Sequence, residues 1–144
     1  MAVDLFPILL VEDNEHDVRF FQRAWRQNSI ANPLYVVSNG QACLDFLRHK
    51  AVHTSAVEFP RPGLVLMDIR MPVMGGLECL KAIRADPELV VIPVIIFTTS
   101  LQYEDRVLSY KFGCNGFIEK PLNFESLSKA VATIHRYWSL CTLP

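Results

Sequence analysis

No stretch of this chain is apolar over anything near the ~20 residues that a bilayer-spanning helix needs, so no such helix is expected. Neither sign of charge is in excess. The formal net charge is -1, and no global basic field favours nucleic acid or an anionic membrane. The opening MAVDLFPILLVEDN carries Asp4 and no basic segment, which argues against a secretory signal. The four cysteines, Cys43, Cys79, Cys114 and Cys141, include no pair at CxxC or metal-clip spacing. They are expected to be small buried apolar residues in a reducing cytoplasm, not disulfides or zinc ligands. His16, His49, His53 and His135 are equally scattered and read as surface or local residues. No glycine-rich phosphate loop follows the first apolar run. The segment there, VEDNEHD, would repel phosphate unless a metal lay between. Repeats and low-complexity segments are also missing.

What is present is a globular composition: 144 residues, 51% hydrophobic and 20% charged. That suits one domain, residues 1–144, burying roughly 68–70% of its unfolded surface. Short, nearly continuous apolar runs at 7–11, 34–37, 64–67, 94–97 and 116–118 read as strands buried on both faces. Longer segments lie between them. Residues 14–28 place Val18, Phe21 and Trp25 at helical spacing, and 39–49 do so more loosely with Ala42, Leu44, Phe46 and Leu47. Residues 76–85 carry Leu77, Leu80 and Ile83, and 102–112 carry Val107, Leu108 and Phe112. Residues 123–140 align Phe124, Leu127, Val131, Ile134 and Trp138 behind Asn123 as N-cap. Five strands alternating with five helices predict an α/β fold: a five-stranded parallel sheet with helices on both faces, in the flavodoxin-like order 2-1-3-4-5. The connection 50–62 is long against a median of ~4–6 residues, and reads as an ordered Ω-like loop or a mobile one.

In such a sheet, chemistry sits at the carboxyl ends of the strands. Here those ends carry Glu12 and Asp13, then Asp68, then Thr98, then Lys120. Crowded carboxylates repel one another unless a cation lies among them. With hard oxygens and neither sulfur nor imidazole at hand, magnesium is favoured over zinc. Lys120 and Thr98 would supply a charge and a hydroxyl donor to phosphoryl oxygens. An aspartate can itself be the nucleophile and become an aspartyl phosphate, and Asp68, after LVLM, is the best placed. Each residue alone has a plainer reading: Asp13 as a helix cap, Lys120 as a solvated turn residue, Thr98 as an idle strand-end hydroxyl, Asp68 as a turn starter. Their joint occurrence at four strand ends sets those readings aside.

The segments LLVEDN (9–14), LVLMDIRMPVMGG (64–76), IPVIIFTTS (92–100) and GFIEKPL (116–122) resemble the receiver domains of two-component response regulators. The resemblance implies Glu12 and Asp13 as the acidic pair and Asp68 as phospho-acceptor. It implies Thr98 as switch hydroxyl, Phe117 as switch aromatic and Lys120 as the phosphate-contacting lysine. It also implies the Arg70 carbonyl as a third protein ligand to magnesium, beside Asp13 and Asp68, with Glu12 acting mainly through water. The Lys120–Pro121 bond would be cis. The 50–62 connection and the closing YWSLCTLP resemble the small regulators paired with bacterial and cyanobacterial phytochrome histidine kinases. Three residues depart from the family pattern: Met74, suggesting a looser loop; Phe117 in place of tyrosine; and the large cationic Arg70 beside the acceptor.

The function so implied is a magnesium-dependent, cytoplasmic phosphorelay switch, with a sensor histidine kinase upstream and a protein target or phosphotransfer protein downstream. It would catalyse only its own phosphorylation and dephosphorylation. A magnesium-dependent hydrolase is disfavoured, because Asp68-Ile69-Arg70 lacks a second carboxylate as general acid or base. A pseudo-receiver would lack Asp68, Thr98 or Lys120. DNA binding has no recognition-helix module behind it. A homodimer through the fourth and fifth helices is expected from the apolar Tyr103, Leu108, Tyr110, Tyr137, Trp138, Leu140, Leu143 and Pro144. The alternative is a tail folded back over its own domain.

Overall fold

The computed structural model describes residues 5–49 and 60–144. Strands and helices alternate along the chain: β1 (Ile8–Val11), α1 (Glu15–Gln27), β2 (Leu34–Val37), α2 (Gly40–Leu47), β3 (Leu64–Met67), α3 (Gly76–Ala85), β4 (Val94–Thr98), α4 (Tyr103–Lys111), β5 (Gly116–Glu119) and α5 (Phe124–Leu140). The strands form one parallel sheet in the order β2-β1-β3-β4-β5. β1, β3 and β4 are buried at every position, which is why their sequences run apolar without alternation.

Successive side chains of each strand pack on opposite faces. Leu9, Val11, Val65, Met67, Val94 and Ile96 join α2 and α3 on one side. Ile8, Leu10, Leu64, Leu66, Ile95 and Phe97 join α1 and α5 on the other. Three helices start on an asparagine whose side chain accepts an orphan amide. Asn14 takes Asp17 N, Asn39 takes Ala42 N and Asn123 takes Ser126 N. The cap of α1 is therefore Asn14, not Asp13. Glycine is required at Gly76, where a Cβ would lie 2.0 Å from the Asp68 carbonyl oxygen.

Several expectations need correction. Val107 is exposed; α4 turns Asp105 and Ser109 inward instead. Leu108 and Phe112 are only half-buried. Trp138 belongs to the core beneath α5 and leaves Tyr137 outside. Leu143 also packs on that core. With Pro144 it closes on Phe6, Gly63 and Pro93 at the amino ends of the strands, so the tail does fold back over its own domain. The four cysteines are free, but only Cys43 and Cys79 are buried; Cys114 and Cys141 are half-buried. Among the described residues no peptide bond is cis. Lys120–Pro121 is trans, the form that X-Pro bonds favour by about 0.5–1 kcal/mol. The loop after β3 is not loose. Val73 has φ 67° and Met74 N–H donates to the Pro72 carbonyl at 2.7 Å, a tight γ-turn. Gly40 N–H fixes the Met74 carbonyl at 2.8 Å. The connection 50–62 lies outside the described residues up to 59, as does His53.

Candidate functional site

The sheet order brings the carboxyl ends of β1, β3, β4 and β5 to one edge. Glu12 and Asp13 follow β1. Glu12 is buried and Asp13 exposed. Asp68, at the head of β3, is buried, as are Thr98 at the end of β4 and Lys120 after β5. One carboxylate oxygen from each of Glu12, Asp13 and Asp68 lies within 4.8 Å of the others.

Lys120 organises this cluster. Its Nζ donates to Glu12 Oε1, to Asp17 Oδ2 at 3.1 Å and to Asp68 Oδ2 at 3.1 Å. The other Asp68 oxygen accepts from Ile69 N–H at 2.7 Å. Glu12 Oε2 accepts from Asn14 N–H at 3.1 Å. Both oxygens of Asp68 are thus oriented before anything binds.

The titration behaviour follows from this packing. Burial pushes the Glu12 carboxyl up to about 7, against the opposing hydrogen bond and charge of Lys120. Burial alone would lower Lys120. The hydrogen bond to Glu12 and the charges of Asp68 and Glu12 outweigh it and push the ammonium up to about 12. Three carboxylates crowded at one strand edge repel one another, and a divalent cation among them would relieve that repulsion. The donor set of three carboxylates is hard oxygen throughout and fits such a cation.

The remaining expected residues divide. Thr98 Oγ1 accepts from Ser100 N–H at 3.3 Å, within its own connection. Phe117 is half-buried against the α2–α3 side of the core. Arg70 extends from the loop after β3 and its guanidinium reaches α4, pairing with Asp105 at 2.5 Å. Sequence reasoning missed Asp17, the third partner of Lys120. Its place in the first turn of α1, four residues after Asp13, was the available signal. It also missed Asp105, whose position in a charged helical turn reads as solvated. Beside the cluster lies a cavity of about 170 Å³, floored by Glu12, Asp17 and Lys120 and walled by Phe20, Phe21 and Phe97.

Residues 8–132 match the response regulator receiver domain. The chain belongs to this family. Its relatives include the response regulator Rcp1 of Synechocystis sp., 35% identical over 95% of this chain and 92% of its own length. Among solved structures, the phosphorylated cyanobacterial phytochrome response regulator RcpA superposes with a TM-score of 0.90. That match has 33% identity and covers 98% of this chain and 99% of the other. The Mn(2+)-bound form of Rcp1 gives 0.86 at 34% identity, covering 96% and 99%. The receiver is thus a two-component signalling domain with an acidic pocket suited to a divalent metal. No helix among its described residues is long and apolar enough to cross a membrane.

Proposed function

We propose that this receiver accepts a phosphoryl group on Asp68 from a histidine kinase and works as a single-domain, cytoplasmic phosphorelay switch. The observation that carries the reading is the Asp68 carboxylate. It is buried, oriented through both oxygens, and set between the Lys120 ammonium at 3.1 Å and the acidic pair Glu12 and Asp13. In the transfer, an Asp68 oxygen forms the new P–O bond. The donor's N–P bond breaks and the histidine nitrogen keeps the electron pair.

Magnesium would be held by Asp13, Asp68 and the Arg70 carbonyl, with Glu12 acting through water, and would neutralise charge on the phosphoryl oxygens. Lys120 donates to one phosphoryl oxygen, trading its carboxylate contacts for a more highly charged acceptor. The Thr98 hydroxyl turns from Ser100 N–H toward another, and Phe117 moves into the space it leaves. Catalysis is confined to the chain's own phosphorylation and dephosphorylation. The likeness to the phytochrome response regulator RcpA favours a phytochrome-type kinase as donor, with a downstream protein as target. The apolar side chains exposed on α4 and α5, Tyr103, Val107, Tyr110, Tyr137 and Leu140, favour a second copy as a further partner.

The test is intact mass after incubation with magnesium and acetyl phosphate, which leaves as acetate. Wild type should gain one phosphoryl group and Asp68→Asn none. Full uptake by Asp68→Asn would refute the assignment.

A further inference from the structure

The first turn of helix α4 is held to the domain by polar contacts, while the half-buried Leu108 and Phe112 lie further along. The buried residues of α4 are Asp105 and Ser109, while Tyr103, Val107 and Tyr110 stand in solvent. A surface helix ordinarily docks through an apolar stripe; the first turn of this one docks through a carboxylate. The Asp105 side chain is 6% exposed, and its Oδ2 accepts from Arg70 Nη2 at 2.5 Å and Ser100 Oγ at 2.6 Å. The same Arg70 nitrogen reaches Gln102 Oε1, at the start of α4, at 3.3 Å. Ser100 N–H donates to the Thr98 hydroxyl at 3.3 Å. A polar circuit therefore runs from the acceptor loop through Arg70 to Asp105, then through Ser100 back to Thr98.

We infer that Arg70 is a charge-operated latch, holding α4 by Asp105 while Asp68 is unmodified and drawn off it by the phosphoryl group once Asp68 carries one. This rests on the phospho-acceptor reading above. Arg70 stands two residues from Asp68, and its side chain is 63% exposed, so it moves without disturbing the core. A phosphoryl group adds charge and acceptor oxygens beside it, and guanidinium pairs with such oxygens in a planar fork. Asp105 then becomes a buried carboxylate without a cation, which is strongly unfavourable. The apolar side chains that anchor α4, the half-buried Leu108 and Phe112, lie in its later turns, so the first turn of α4 gives way. Arg70 thus acts as a positioning residue, parallel to the Thr98 hydroxyl.

Hydrogen exchange of the amides at 106–112 tests this on the full chain with magnesium, before and after acetyl phosphate, with intact mass read from the same samples. In wild type, phosphorylation should speed exchange about ten-fold. In Arg70→Ala, exchange should already be about ten-fold faster, and phosphorylation should add less than about two-fold. Adding Asp105→Asn to Arg70→Ala should restore protection, because a neutral amide needs no cation. Arg70→Lys should keep most of it. The latch is overturned if Arg70→Ala protects α4 as wild type does, or if it loosens α4 yet leaves the full ten-fold response to phosphorylation. Phosphoryl mass on wild type with unchanged α4 exchange overturns the latch alone. No phosphoryl mass on wild type overturns the acceptor reading and the latch together.

Discussion

Asp13 and Glu12 are neighbours in sequence but stand in different dielectric surroundings. Asp13 is exposed to solvent. Glu12 is buried against Lys120 and pays for ionisation. Metal removal should therefore register as a stability change. Magnesium at ten times its dissociation constant should stabilise wild type by about 1.4 kcal/mol, read as a rise in melting temperature. Asp13→Ala should lose most of that rise, and an equal rise in both proteins would count against Asp13 as a ligand. Thr98→Ala removes a hydroxyl that already has a partner in Ser100 N–H. Phosphoryl uptake by this variant should stay near wild type, while the change in partner affinity on phosphorylation should shrink several-fold. Calorimetric titration of the kinase or target against both forms checks it.

Among the elements, legibility followed how each helix meets the sheet. Helix α5 could be read from Leu127, Val131, Ile134 and Trp138, because apolar side chains at helical spacing are what bury it. Asn123 opens it as its position before an apolar run suggests. Asn123→Ala should cost about 1 kcal/mol, measured by denaturant unfolding, since it orphans Ser126 N–H. The three central strands, β1, β3 and β4, were legible for the same reason: a strand covered on both faces can only be apolar. Helix α4 was found in place but faced wrongly. Periodicity of apolar residues says nothing about a helix that turns Asp105 and Ser109 inward. The ion pair that makes this tolerable joins Arg70, in the loop after β3, to Asp105 in the first turn of α4 and leaves no local pattern. Asp17 escaped similarly, because its partner Lys120 is distant in sequence and meets it only through the fold. Arg84 is a further long-range tie: it donates to the carbonyls of Gly113, Val90 and Ile92, binding α3 to the entries of β4 and β5.

For the whole molecule, strand order does most of the work. The parallel sheet gathers the carboxyl ends of its strands at one edge, where Glu12, Asp13, Asp68 and Lys120 converge, with Thr98 at the end of β4 bonded to Ser100. The outer surface was harder to read. Trp138 and Leu143 serve the molecule's own core, Pro144 closes with the tail on Phe6 and Pro93, and Leu108 is half-buried, while Val107, expected inside, is exposed; the apolar patch becomes Tyr103, Val107, Tyr110, Tyr137 and Leu140. A homodimer through that reduced patch should sediment as such at micromolar concentration and fall to monomer in Tyr110→Glu. A monomer with and without phosphorylation would dismiss it.

The two tryptophans share one side of the sheet. Trp25 donates to the Asn32 carbonyl at 3.1 Å and stacks on Phe21, while Trp138 lies beneath α5 in the same layer. Neither belongs to the layer that α2 and α3 cover. The protein's natural fluorescence is therefore an eye on the α1–α5 half. It will follow unfolding faithfully and will be nearly blind to events at α4. A titration that shows no change in emission says nothing about whether the switch has moved, and an indole placed at Tyr103 would give the silent half a signal of its own.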